Sequence, residues 1–196
     1  MNRWTVVVPL KDLARRKSRL AKHLSVCERN TLTDQMFRRV VAAVSRCPLV
    51  ERVVVLSPEG LARWRGPMLI DLHRGLNDEL SEAALALGER QIAVIHADLP
   101  KLQTEDVSSL LTAAGTFGGA VALDRHGTGT NALALRSTVG FSFCFGPGSA
   151  VLHIGQRAGI ARIDRSGFAF DLDTLDDLHL AVQAGAVPMQ CNWVAT

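Results

Sequence analysis

The run IAVIHADLP, residues 92–100, decides how the chain is read. Residues 92–96 are apolar up to a closing histidine and carry no full charge, as a strand buried on both faces requires. The chain then turns at once through Ala97, Asp98, Leu99 and Pro100, so a carboxylate stands at the carboxyl end of that strand. Working outward, TVVVP at 5–9, VVVL at 53–56 and MLIDL at 68–72 repeat the strand pattern before it, and 120–123, 132–135 and 161–163 repeat it after. Between them the apolar residues fall at helical spacing. The spacing predicts helices over 32–47, with Thr31 as N-cap and Asp34 three residues on, over 77–87, stopped by Gly88, and over 105–114. It predicts two more over 149–158, entered through Gly146-Pro147-Gly148, and 175–184. Alternating β and α elements imply an α/β fold with a mostly parallel sheet covered by helices on both faces. With no repeat, linker or low-complexity tract, residues 1–196 are read as one domain.

A hydrophobic share of 47% with 21% charged residues is globular composition rather than disorder. A formal charge of +3 is too small to point to nucleic acid. Cys27, Cys47, Cys144 and Cys191 include no C-x-x-C pair, which speaks against structural zinc and fits free thiols in a reducing compartment. No apolar run reaches the length of a signal-peptide core or a membrane span. The expected location is the cytoplasm.

In open α/β sheets ligands bind beyond the carboxyl ends of the strands, and the polar motifs sit mainly there. After the first strand come Lys11, Arg15, Arg16, Lys17 and Arg19. They could neutralise a triphosphate or form a solvated basic turn. A P-loop is excluded, because its glycine-lysine pattern is absent. Asp98 is placed to hold Mg²⁺ beside phosphate oxygens, with a turn aspartate as the plainer alternative. Asp171 and Asp173 lie on one face of an extended segment and are either metal ligands or caps. Thr174 caps the helix that follows, with Asp176 and Asp177 in its first turn. Gly127-Thr128-Gly129-Thr130-Asn131 either holds an anion or is a ligand-free hairpin loop. Gly146-Pro147-Gly148-Ser149 makes Ser149 an N-cap and, compatibly, an anion contact. Gly75 and Asn77 either lie at a purine edge or, through Asn77, cap the next helix. His23, His73, His126, His153 and His179 show no metal spacing; only His96, two residues from Asp98, is kept as a candidate. No G-x-S-x-G and no nucleophilic Cys/His signature is present.

Taken in order, V-P-L-K with R-K-S-R-L, R-G-L-N, A-D-L-P, G-T-G-T-N-A-L, F-G-P-G-S and D-L-D-T-L-D-D-L resemble the guanylyltransferases of deazaflavin coenzyme (coenzyme F-420) biosynthesis. The resemblance covers about residues 5–178. It implies a Rossmann-like nucleotidyltransferase fold and Mg²⁺-dependent transfer of GMP from GTP to 2-phospholactate, phosphoenolpyruvate or 3-phosphoglycerate, with release of pyrophosphate. Carried over by motif, Asp98 and Asp171 become metal ligands, with Asp173 as the alternate. Thr130, Gly146 and Ser149 become the phospho-acid pocket, with His96 beside it. Lys11, Lys17 and Arg19 face the triphosphate, and Gly75 and Asn77 lie near guanine. Expected partners are GTP, a small phospho-acid, a downstream transferase that takes the unstable product, and a second copy in a homodimer; nucleic acid and membrane are not expected. Arg16, His96 and Leu175 depart from the family pattern and bear on substrate choice, with His96 leaning toward 3-phosphoglycerate. Other readings are a cytidylyl- or molybdopterin-type transferase, against which the absent G-x-G-x-R-M loop speaks, and a non-catalytic nucleotide-binding domain.

Overall fold

The computed structural model describes residues 3–11, 17–61, 64–88 and 90–188. Arg15, Arg16 and Cys191 lie outside the described residues. Among the described residues seven strands form one sheet: β1 (Trp4–Pro9), β2 (Val50–Ser57), β3 (Met68–Ile70), β4 (Arg90–Ile95), β5 (Gly119–Leu123), β6 (Thr130–Ser137) and β7 (Ala161–Ile163), in the order β3-β2-β1-β4-β6-β5-β7. Each predicted strand is present. The pairings β2–β3, β1–β2, β1–β4 and β5–β7 are parallel. β6 runs antiparallel to both β4 and β5. The turn from β5 to β6 is too short for the crossover a parallel pair needs, so β6 must return antiparallel.

Among the described residues six α-helices and a short 3-10 helix (Ser18–Leu20) join them: α1 (Val26–Ser45), α2 (Leu76–Ala86), α3 (Thr104–Phe117), α4 (Ser149–Gly155), α5 (Ser166–Ala169) and α6 (Leu175–Gln183). α1 begins earlier than the spacing predicts. Ser25, not Thr31, caps it in a reciprocal box with Glu28, and the Thr31 hydroxyl donates to the Cys27 carbonyl. A polar first turn hid that start from a pattern built on apolar spacing. α4 stops at Gly155, short of residue 158, and its N-cap is Gly148 rather than Ser149. α6 begins as predicted, with Thr174 accepting from the Asp177 N–H and Asp177 accepting in return.

Strand residues alternate between two cores, as a sheet covered on both faces demands. Val6, Val8, Ala93, Ile95, Ala132 and Ala134 face the core built with α1 and α3. Val7, Val94, Leu133 and Leu135 face Leu80 and Ala84 of α2 and the aromatic run Phe141, Phe143, Phe145. A third cluster packs Leu20 and Leu24 with Leu32 and Met36 of α1 against Phe170, Leu172 and Leu178. Each such side chain contributes about 1.5–3 kcal/mol on burial. That packing fixes the segment holding Lys17 and Arg19 beside the segment holding Asp171 and Asp173. After β1 the chain adds β2 and β3 on one side and β4 on the other. The crevice beyond the ends of β1 and β4 is therefore the topological switch point, where such sheets bind ligands.

Candidate active site

Lys11 and Asp98 follow the two strands that flank this crevice. Lys17 crosses it. Its Nζ donates to Asp98 Oδ2 at 2.7 Å and to Asp173 Oδ1 at 3.0 Å. The Lys17 side chain is only 6% exposed, while those of Asp98 and Asp173 are 28% and 40% exposed. Burial alone would depress the ammonium, but the two carboxylates reverse that and hold it above its ordinary value. Burial would likewise raise the Asp98 carboxyl; the Lys17 charge, then His96, outweigh it and hold the group below the usual range. Arg19 adds a looser contact to Asp173 Oδ2 at 3.2 Å. Lys17 has φ 46° and ψ 46°, a left-handed conformation that costs a non-glycine residue about 1–3 kcal/mol and persists only where the surroundings enforce it.

Asp171 sits close by. Its carboxyl is pushed up, by burial first and then by the Asp98 charge. Asn131 donates to Asp171 Oδ1 at 3.4 Å and to the Phe168 carbonyl at 2.8 Å, and the Leu172 N–H donates to the Asp98 carbonyl at 3.1 Å. These bonds tie the end of β4 and the start of β6 to the 168–173 segment. Asp98 Oδ1 is buried and makes no hydrogen bond among the described residues, and the same is true of His96 Nε2. Buried polar atoms left so in a folded protein call for a ligand, ion or water. Burial holds the His96 ring below its ordinary pKa, against the pull of Asp98 and Asp171.

His96 also borders the second half of the site. Its ring lies 5.2 Å from that of Phe145, which meets the His153 ring edge-on at 4.8 Å. His153 Nδ1 is 3.0 Å from Thr130 Oγ1. The Ser149 N–H donates to the Gly146 carbonyl, and buried Ser149 Oγ has no partner among the described residues. Gly146, at φ 125°, turns the chain from the aromatic run into α4 through a conformation open mainly to glycine. Asn77 clamps this segment to α2: its Oδ1 accepts from the Phe145 N–H at 2.7 Å and its Nδ2 donates to the Phe145 carbonyl at 3.1 Å. Asn77 is thus no helix cap, since Gly75 is the N-cap of α2, with φ 107°. The loop before Gly75 is organised by Glu79, 1% exposed in its side chain, which accepts from the N–H groups of Leu72 and Arg74 and from the Arg74 guanidinium. The guanidinium bonds lead in holding the Glu79 pKa at about 2.

The crevice and its rim therefore bring together Lys17, Arg19, Asp98, Asp171, Asp173 and His96, with Thr130, Gly146 and Ser149 beyond Phe145. Lys11 enters from β1, and Gly75 and Asn77 border the aromatic run. Among the described residues no group of three or more His, Cys, Asp or Glu side chains forms a ready metal site. Between Asp98 and Asp173 stands the Lys17 ammonium instead. Sequence reasoning passed over His153 and Glu79. The one signal for His153 was its place one helical turn after Ser149; for Glu79 it was an acid in the first turn of the helix that follows Arg74-Gly75.

An open α/β sheet with cations and carboxylates at its switch point has the architecture of Rossmann-like nucleotidyltransferases. A nucleotidyl transferase from Methanothermobacter thermautotroptrophicus shares the fold with a TM-score of 0.65 at 14% identity, over 95% of this chain and 98% of that one. Within that class, the chain belongs to the guanylyl transferase CofC-like family, whose model matches residues 4–184. It is 39% identical over 194 residues to the phosphoenolpyruvate guanylyltransferase of Rubrobacter xylanophilus, covering 92% of this chain and 94% of the relative. It is 35% identical over 185 residues to the protein of that name from Sphaerobacter thermophilus, covering 88% and 89%. No helix among the described residues is long and apolar enough to cross a membrane.

Proposed function

We propose that this guanylyltransferase moves GMP from GTP onto the phosphate of phosphoenolpyruvate, releasing pyrophosphate, as a step of deazaflavin coenzyme biosynthesis. The observation that carries the reading is Asp98: it stands just past β4 at the switch point, one oxygen held by Lys17 and the other buried with no hydrogen bond among the described residues. The names of the relatives support phosphoenolpyruvate as acceptor. The lean toward 3-phosphoglycerate rests on His96 alone, whose Nε2 has a bond to give or accept, and it remains the second reading.

Lys11, Lys17 and Arg19 offset the charge of the triphosphate and of departing pyrophosphate. An ionised acceptor phosphate needs no protein nucleophile, so the chain's task is positioning and charge neutralisation. The spare Asp98 oxygen and the Asp171 carboxylate, with Asp173 as alternate, fit one divalent cation such as Mg²⁺. It would supply further neutralisation at the phosphates. Thr130, Gly146 and Ser149 hold the phospho-acid; Gly75 and Asn77 lie on the guanine side. The test is mass spectrometry of the purified protein with GTP, Mg²⁺ and each of the three acids, with the downstream transferase and deazaflavin core present as a trap. Product from phosphoenolpyruvate alone supports the reading. Product from 3-phosphoglycerate alone moves the assignment to His96 and the second reading. No product from any acid, with GTP bound, would return the chain to a cytidylyl-type or non-catalytic role.

A further inference from the structure

His153 is fully buried on α4, and both of its ring nitrogens are engaged. The Cys144 N–H donates to Nε2 at 2.9 Å, and Nδ1 lies 3.0 Å from Thr130 Oγ1. A neutral imidazole carries one N–H. Since Nε2 is the acceptor, the proton sits on Nδ1, and Thr130 Oγ1 receives it. A hydroxyl that already accepts from a fixed donor has its own proton to give. The Thr130 hydroxyl makes no other hydrogen bond among the described residues. Phe141 stacks on the ring at 5.8 Å and Phe145 meets it edge-on, which fixes the ring plane. Burial, then the neighbouring His96, holds the His153 pKa down at about 4, so the ring stays neutral and its Nε2 stays an acceptor near pH 7.

We infer that His153 is a positioning residue: its Nδ1–H donates to Thr130 and thereby turns the Thr130 hydroxyl proton toward an anionic oxygen of the phospho-acid. A carboxylate or phosphate oxygen only accepts, so a hydroxyl with one lone pair already taken and its proton free favours it. The inference rests on the proposed placing of Thr130 in the phospho-acid pocket.

The experiment compares Thr130→Val, His153→Gln and His153→Asn by steady-state KM for phosphoenolpyruvate and for GTP, with thermal melts alongside. Gln reaches the Nε2 position, keeps the bond from Cys144 and leaves Thr130 without its donor. Asn places an N–H where Nδ1 was and restores it. Thr130→Val and His153→Gln should each raise the phospho-acid KM on the order of tenfold with the GTP KM unchanged, the double variant being no worse than either. His153→Asn should recover most of that loss. A raised KM in Thr130→Val with a wild-type value in His153→Gln would overturn the inference and leave the pocket standing. A wild-type KM in Thr130→Val would sink the pocket and the inference together. Equal loss in both His153 variants, with lower melting temperature and a raised GTP KM, would make the role one of packing and overturn it too. Histidine ring ¹⁵N NMR of the wild-type protein decides the matter even where variants do not fold: the Nδ1–H tautomer at His153 is expected, and the Nε2–H tautomer would refute it.

Discussion

Replacing Lys17 with methionine keeps the length of its stem and removes its charge, leaving Asp98 and Asp173 facing each other with no ammonium between them. Breaking a fully buried ion pair costs about 3–5 kcal/mol, and an exposed one about 0–1 kcal/mol. Here the ammonium is buried while the carboxylates are 28% and 40% exposed, so solvent screens part of the loss and the cost falls between, at about 2 kcal/mol. For a chain of 196 residues that is a fall in Tm of about 4–8 °C. The sign with pH follows from both partners. The Asp98 carboxyl lies below its ordinary 3.8, so its share of the stability is present above that value and fades as pH falls through the folded one. The Lys17 ammonium lies above 10.5, so its share holds at neutral pH and fades only as pH rises through the folded value. The gap between wild type and variant should therefore be flat across neutral pH and close at both extremes. Added Mg²⁺ without nucleotide should raise the Tm of Lys17→Met more than that of wild type, because in the variant the ion also offsets the charge that the ammonium held. The assay is differential scanning calorimetry over a pH series with and without Mg²⁺. A variant melting with wild type at every pH, and indifferent to the ion, would refute the bridging role.

Asp98→Asn removes a carboxylate but leaves Lys17 paired with Asp173. It should keep the fold, by circular dichroism, and lose turnover by roughly 10²–10³-fold or more in a pyrophosphate-release assay. Asn77→Ala strips both partners from the Phe145 backbone, whose buried N–H then goes unpaired at a cost of about 1–3 kcal/mol, readable in chemical denaturation. Glu79→Gln removes a carboxyl held at about 2 against an ordinary 4.5. The stability it contributes is present above pH 4.5 and lost as pH falls toward 2, so the acid limb of the variant's stability curve should flatten while its neutral Tm drops.

The strands were legible because buried parallel strands are short apolar runs, and their alternation between two cores follows from backbone geometry alone. The antiparallel return of β6 was legible only as the hairpin-loop reading of residues 127–131, since its own residues are as apolar as those of the parallel strands and the length of the preceding turn sets its direction. At the site, Asp98 was legible by position, standing where a buried strand meets a turn. The pairing of Lys17 with Asp98 and Asp173 was not: it joins residues 81 and 156 positions apart, and no local pattern carries such a separation. His153 was missed for a related reason. A single histidine on an otherwise apolar helix reads as a core residue, and its meaning comes from Thr130 and Cys144, which arrive from other elements.

The two halves of the crevice deal with negative charge differently. Toward β1 the side chains are charged: the cations Lys11, Lys17 and Arg19 stand among the carboxylates Asp98, Asp171 and Asp173. Beyond Phe145 they are neutral donors and glycines: Thr130, Ser149 and Gly146, backed by a histidine whose burial keeps it uncharged. On the proposed reaction both substrates are polyanions, and a site of cations throughout would bind either one in either half. The half that holds the cations gives the more highly charged triphosphate its partners, while a neutral half accepts only an anion small enough to match fixed N–H and O–H groups. His96 marks the seam, its ring against Phe145 on one side and Asp98 and Asp171 on the other. On the proposed reaction a neutral ring there would add no cation to hold the ground state of both substrates, and catalysis gains only from contacts that strengthen as charge moves.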